Sequence, residues 1–445
     1  MSKALVRLLT VLLSLSLVAA ACGGDDEGGS GNGNDGGTAP PEEIDYEAIG
    51  LWDDGACDES LEPLKIGLMT VFESPVISLE DQALALEAAA EAFNSRGGAN
   101  GSCIEVTTCD DGANPDKAVA CVRTIDEAGV VATVNDQGLA AQAEVSEAMA
   151  AAKIPRVAAN VANNDWGDPN SYPMDASGTG VTFLLPQALI DADATKIAAI
   201  RVGQAEAAAL KPILEGIYEG EAELTADIPV PAGTTDFSQF ILGAQESGAE
   251  GAFLAIGEQE AVQVITAGQQ LGTDLKLGAS LGSFSHSNIA ELGGFAEQMV
   301  FLWSFAPPTA DLPVYQAMRS DLAASGEDSL QPENLKASPV RSWIGLYALL
   351  KMIRDADMKE FTRDGITKML QEAEDVPMLD MYGGEDWTPN ANHPGIWSRA
   401  GIDRWATYTW DPDAEGDFEG NFVENSVLSF DEILCGSPFG GPEPC

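Results

Sequence analysis

From Leu64 onward, short apolar runs alternate with segments whose apolar residues recur at helical spacing. "LKIGLMT" reads as a buried strand, after which Ser78 opens a helix with Leu79, Ala83, Leu86, Ala90 and Phe93 on one face, ended by Gly97 and Gly98. "CIEVTTC" is the next strand, and Asn114 with Pro115 supplies an N-cap and a first-turn proline for the helix carrying Ala118, Val119, Val122 and Ile125. "VVATVN" and "IPRVAA" follow as strands on either side of the helix "LAAQAEVSEAMAAA". Strand and helix in this rhythm predict a doubly wound parallel sheet.

The rhythm restarts at Lys196. "KIAAIRV", "ELTADIPV", "GAFLAI", "LKLGAS" and "MVFLWSF" read as strands, separated by helices near Glu206–Glu219, Phe237–Ser247, Glu260–Leu271 and Ser287–Leu292. Helices over Val314–Ala324, Val340–Asp355 and Phe361–Glu374 come next, ahead of a tail rich in Trp, Pro, Gly and Asp. The fold class expected is therefore α/β, with two doubly wound parallel-sheet lobes, since roughly 390 residues exceed what one core usually serves. The segment "FLLPQALIDADATKIAAI" leaves little room for a helix at the start of the second lobe.

What precedes the folded part has a different character. Lys3 and Arg7 lead into an apolar stretch, Leu8 to Ala21, that falls short of the about 20 residues needed to cross a bilayer. That order is the order of a secretory signal peptide. Ala19, Ala20 and Ala21 ahead of Cys22 resemble a bacterial lipobox, which implies cleavage and lipidation at Cys22; the alternative is an ordinary secreted chain. From Gly23 to about Gly50 the chain is Gly- and Asp-rich with almost no large apolar residue, so a disordered tether is expected.

The chain has 22 Lys+Arg against 71 Asp+Glu, a formal net charge of −49. Such a surface repels nucleic acid and anionic headgroups, so no nucleic-acid partner is expected and the membrane is reached through the lipid anchor only. Its plainest consequence is a well-solvated monomer. Apart from Cys22 there are Cys57, Cys103, Cys109, Cys121, Cys435 and Cys445. An even number in an exported chain points to disulfides, with fifteen possible pairings. Sequence proximity favours Cys109–Cys121 and Cys435–Cys445, which leaves Cys57–Cys103. No CxxC spacing argues for zinc, and no metal or cofactor is expected.

Several stretches carry a family resemblance. "AFNSRGGANGSCIEVTTCDDGANPDKAVACVRTI", "PAGTTDFSQFILGAQESGAEGAFLA", "SNIAELGGFAEQMVFLWSFAPP" and "SPVRSWIGLYALLKMI" resemble, in order and spacing, segments of the solute-binding proteins of ABC importers of the branched-chain amino acid type. The resemblance runs from Leu64 to about Trp387 and implies the type I periplasmic binding fold, whose lobes close like a hinge on a small solute at the C-terminal ends of their strands. With it, the chain divides into a signal peptide over 1–21, lipidated Cys22 and tether over 22–60, the first part of lobe 1 over 61–186, lobe 2 over 187–304, a return to lobe 1 over 305–375 and a lobe 2 tail over 376–445. Localisation would be the outer face of the cell membrane, with importer membrane subunits as partners.

Carried over by position, the first-lobe ligand residues are Glu73 and Ser74, then Asp136, Gln137 and Gly138, then Asn160 and Asn163. The second lobe offers Gln204, Glu258, Ser280, Ser283 and Phe284. The acid that commonly meets a ligand amine in this family falls near Ser280–Leu281, where no acid stands, so Glu258 or Glu73 would take its place. Blander readings stand beside these: Asp136 and Asn163 as helix caps, Phe284 and Trp166 as packing, Gly138 as a turn.

Two other function classes have some footing. "GASLG", Gly278 to Gly282, matches the nucleophile-elbow pattern of hydrolases, with Asp380 and His393 completing a triad in hydrolase order, and His286 the remaining histidine. No oxyanion segment of the HGGG type precedes it, and the expectation is a protein that catalyses nothing. The same fold also serves ligand-sensing receptors. "DPDAEGDFEG" places acids at alternate positions as an EF-hand does, but Phe422 stands where the closing Glu is needed, so an exposed acidic loop is the expectation.

Overall fold

The computed structural model describes residues 44–72, 74, 78–138, 140–160, 168–203, 210–393 and 398–437. The first sheet contains β1 (Leu64–Thr70), β2 (Ile104–Asp110), β3 (Ala132–Val134), β4 (Arg156–Val157) and β5 (Ser171–Tyr172). Their order is β2-β1-β3-β4-β5, with every pair parallel. Parallel neighbours need crossovers, and α1 (Glu80–Ser95), α2 (Pro115–Glu127) and α3 (Gln142–Ala152) supply them. Asn114 caps α2 as its sequence predicts, accepting from the N–H groups of Asp116 and Lys117 at 3.0 and 3.1 Å. Met69, Val122, Ile125, Val145 and Met149 join β1 to α2 and α3 in one buried cluster.

The second lobe follows with α4 (Ser177–Asp191), β6 (Lys196–Val202), α5 (Leu210–Ile217), β7 (Glu223–Val230), α6 (Ser238–Glu246), β8 (Gly251–Ala255) and α7 (Glu258–Leu271). It continues with β9 (Lys276–Ser280), α8 (His286–Glu291) and β10 (Val300–Trp303). The chain then forms α9 (Pro313–Ala323), α10 (Ala337–Asp355) and α11 (Arg363–Glu372) before returning with β11 (Arg404–Asp411), β12 (Asn421–Ser429) and α12 (Phe430–Leu434). The second sheet runs β12-β11-β10-β9-β8-β6-β7. It is parallel except where β11 meets β10 and β12 meets β11. Both α9 and α10 pack on α1, on the first lobe. A buried node fixes them: Arg96 donates twice to Asp321 at 2.7 Å, and the Trp343 indole N–H donates to the same carboxylate at 2.9 Å.

Two expectations are corrected. A helix, α4, does open the second lobe despite Pro186 in its interior. Proline there removes a backbone donor, but Val181, Phe183, Leu184, Leu185 and Leu189 are buried on either side of it, against β8, β9 and β10, and that burial outweighs the loss. Folded structure also begins earlier than residue 61. The Trp52 ring stacks on Phe93 with centroids 5.3 Å apart, the Arg354 guanidinium lies 4.5 Å from its ring centre, and Arg96 faces Tyr46 at 4.2 Å. The tail contributes two strands, β11 and β12, to the second sheet.

Cys57–Cys103 and Cys109–Cys121 are bonded. Cys435 is disulfide-bonded as well, and Cys445 lies outside the described residues, as does Cys22. Among the described residues no helix is long and apolar enough to cross a membrane.

Candidate functional site

The chain passes from the first sheet to the second after β5 and returns after β10, and one carboxylate holds both passages. Asp175, just ahead of α4, accepts from Ser304, which follows β10, and from Arg341 of α10 at 3.0 Å. Its other oxygen takes the Ser177 N–H at 2.7 Å. Both side chains are buried, at 1% and 0% exposure; the extra hydrogen bonds serve the carboxylate, whereas Arg341 Nε and Nη1 find no partner among the described residues. The two lobes thus meet at a defined pivot.

Beside that pivot the strand ends of the two lobes face each other across a cavity of about 190 Å³. The first lobe brings Gln137 from the loop after β3, Asn160 from the loop after β4, Leu79 ahead of α1 and Ser338 from the first turn of α10. The second brings Val181 and Thr182 of α4, Leu254 to Glu258 around the end of β8, Ser280, Gly282 and Ser283 after β9, and Trp303 at the end of β10. Asn160 donates its amide to Gln137 Oε1 at 3.0 Å, while the Gln137 N–H is held by Met69 O at 2.9 Å, so this wall is preorganised. Apolar surface from Leu79, Val181, Ile256 and Trp303 meets hydroxyls and amides, the usual make-up of a small-ligand site.

Among the described residues, Glu258 is the one ionisable residue in this lining. Its carboxylate lies 3.3 Å from Lys336 Nζ. Burial pushes its pKa up to about 7, with Asp81 adding repulsion and Lys336 opposing both.

Of the residues expected from the sequence, the structure brings together Gln137, Asn160, Glu258, Ser280 and Ser283. Glu73, Asn163 and Gln204 lie outside the described residues, as does Trp166. Ser74 is half-buried outside the cleft lining, and Gly138 sits against Met69, where an added Cβ would come within 3.1 Å of the Met69 methyl. Asp136 caps no helix: its carboxylate is fully buried, receiving Arg156 Nε at 2.7 Å and Thr133 Oγ1 at 3.0 Å. Phe284 is 2% exposed and meets Phe301 edge-on at 5.9 Å. Sequence reasoning missed Trp303, Val181, Thr182 and Ser338. Trp303 had a signal, since it stands at the C-terminal end of the strand run "MVFLWSF", where doubly wound sheets present ligands.

The hydrolase constellation does not assemble. His393 Nδ1 pairs with Asp431 at 2.8 Å, and His286 Nε2 faces the Glu419 and Gly420 carbonyls at 3.1 and 3.2 Å, so neither histidine serves Ser280. In the acidic loop, Asp417 is engaged by Arg319 at 2.6 Å, and no metal-sized cluster of His, Cys, Asp or Glu occurs among the described residues. A larger hollow of about 580 Å³ lies between α11 and the C-terminal end of α10. A 19-residue helix separates its ends by about 28 Å, so that hollow is remote from Ser338 and the strand ends.

Comparison with known proteins decides the family. A family model described as periplasmic binding protein matches residues 63–400. The chain belongs to that family. Among solved structures, this periplasmic binding protein is similar to the fatty acid ABC transporter substrate-binding protein from Thermomonospora curvata, at a TM-score of 0.67 and 16% identity over 88% of this chain and 97% of that one. It is also similar to a solute binding protein of an ABC transporter from R. palustris in complex with 4-hydroxybenzoate, at a TM-score of 0.66 and 15% identity over 83% and 97%. A third likeness is to the branched-chain amino acid transporter substrate binding protein LivJ from Streptococcus pneumoniae in complex with isoleucine, at 0.62 and 14% over 82% and 100%. At these identities the likeness is one of fold. A search of curated protein sequences finds no match. The two-lobed architecture of this periplasmic binding protein is shared with those solved substrate-binding proteins.

Proposed function

We propose that this protein is an extracytoplasmic substrate-binding protein that captures one small solute, an amino acid or an amino-acid-like compound, and delivers it to the membrane subunits of an ABC importer. The observation that carries the reading is the cleft itself, lined from strand ends of both lobes beside the Asp175 pivot. Its size, about 190 Å³, is below the roughly 300–1,000 Å³ of drug-sized sites and suits a compact ligand. An ammonium group finds Glu258, an apolar side chain finds Leu79, Val181, Ile256 and Trp303, and a carboxylate finds the hydroxyls of Ser280, Ser283 and Ser338. In this reading the protein works as a monomer, exported by its signal peptide and held at the membrane by lipid on Cys22.

Thermal unfolding against a panel of amino acids, amides, aromatic acids, sugars and polyamines tests the proposal. A solute at about 100 times its Kd adds about 2.7 kcal/mol, which raises Tm by a few degrees in a chain of this size. A shift confined to amino acids or their close analogues is the expected result, and no shift with any class would overturn solute capture. Mass spectrometry of the mature N-terminus checks the anchor: lipid on Cys22 is expected, and an unmodified mature terminus at another residue would refute it.

A further inference from the structure

The groups that meet Glu258 come from both lobes. Glu258 opens α7 on the second lobe and forms part of the boundary between the cleft and a second cavity of about 310 Å³. That cavity is lined from the first-lobe side by Glu80 and Asp81 of α1 and by Lys336, the residue ahead of α10. The Glu258–Lys336 contact therefore spans the lobes. The two side chains are only 19% and 31% exposed, and Asp81 Oδ1 is buried with no hydrogen-bond partner.

The charges at this contact do not cancel. Glu258 and Asp81 bring two carboxylates to one ammonium, with Glu80 on the rim. The segment ahead of Lys336 adds only Ser329 to the wall, and no histidine lines either cavity. One added proton would balance the site, leaving one ammonium, one carboxylate and one carboxylic acid. Separating the lobes would instead return Glu258 to water and remove the need for that proton.

We propose that lobe closure takes up a proton at the Glu258–Lys336–Asp81 contact, so that acidification below neutrality closes the cleft. The physical cause is desolvation: burial where the lobes are in contact raises Glu258 to about 7 and moves Asp81 in the same direction, whereas an exposed Glu titrates near 4.5. The form that binds the proton more tightly gains as pH falls through the window between those values. From pH 8 to pH 5.5 the closed-to-open ratio rises by about 30-fold. This inference needs no ligand and goes beyond the solute-binding reading above.

Small-angle scattering of the ligand-free protein at pH 8, 6.5 and 5.5 tests it, with Glu258→Gln and Lys336→Met alongside. The wild type is expected to become more compact on acidification. Glu258→Gln should be compact at all three values, and Lys336→Met should shift the transition to higher pH because the opposing cation is gone. A wild-type profile unchanged between pH 8 and 5.5, or a Glu258→Gln profile that keeps the wild-type response, would overturn the proposal. Compaction on acidification with no solute bound at any pH would support the latch while refuting solute capture.

Discussion

Arg156 Nε lies 2.7 Å from Asp136 Oδ2, and the two side chains are 3% and 0% exposed. The carboxylate that the sequence places beside the ligand is thus held by a cation inside lobe 1. Removing one partner of such a pair strands the other charge in the interior, at about 3–5 kcal/mol. Asp136→Ala should lower the unfolding free energy measured in urea by that amount, while the fraction that folds keeps wild-type solute affinity. A stability change under about 1 kcal/mol together with lost affinity would instead make Asp136 a ligand residue.

Trp303 owes its position to the absence of a side chain at Gly282. A Cβ there would stand 2.6 Å from Cη2 and 2.7 Å from Cζ3 of the indole, and the ring is already fixed edge-on to Phe305 at 5.4 Å. Gly282→Ala must push the ring out of place, costing about 1–3 kcal/mol and altering the cleft wall. Thermal unfolding and solute titration should both register the change. If neither moves, Trp303 is not a working wall of the site.

His393 gives stability a second dependence on pH. Its hydrogen bond to Asp431, partly opposed by burial, raises the imidazole above its ordinary 6.5. Because the folded value is the higher one, the stabilisation is full below 6.5 and fades as pH rises through the folded value. Both side chains are 30% exposed, so solvent screening keeps the contribution to about 0.5–1 kcal/mol. Urea midpoints of wild type and His393→Gln should differ most near pH 5.5 and converge by pH 9.

The two disulfides close loops of different length, 46 residues for Cys57–Cys103 and 12 for Cys109–Cys121. In the chain-entropy account the longer loop restrains the unfolded state more, by about 1 kcal/mol. Replacing Cys57 and Cys103 with serine should therefore lower Tm further than the same change at Cys109 and Cys121. Equal losses would show that unfolded-chain restraint is not the main contribution.

Much of the fold was legible because it rests on local pattern. The strand runs at Leu64, Lys196, Glu223, Gly251 and Lys276 and the Asn114–Pro115 helix start all stand where periodicity and cap chemistry put them. The helix α4 was not, because Pro186 signals a break and only burial against β8, β9 and β10 overrides it. The first folded residues were hidden for a related reason: Tyr46 and Trp52 follow an acidic, glycine-rich run, and their value lies in contacts with Arg96, Phe93 and Arg354 far along the chain.

In the cleft, Gln137, Asn160, Glu258, Ser280 and Ser283 could be placed through the family resemblance, each standing at or just after a strand end, where a doubly wound sheet presents side chains. Alternation of strand and helix, the charge balance and the cysteine count are properties of neighbours in the chain, and these the sequence determined alone. Which carboxylate faces a solute was decided only in three dimensions. Asp136 is silenced by Arg156, twenty residues away, whereas Glu258 is tuned by Lys336 and Asp81 from the other lobe. Charge acts through space, with a strength set by burial, and neither distance nor burial exists until the two lobes have packed.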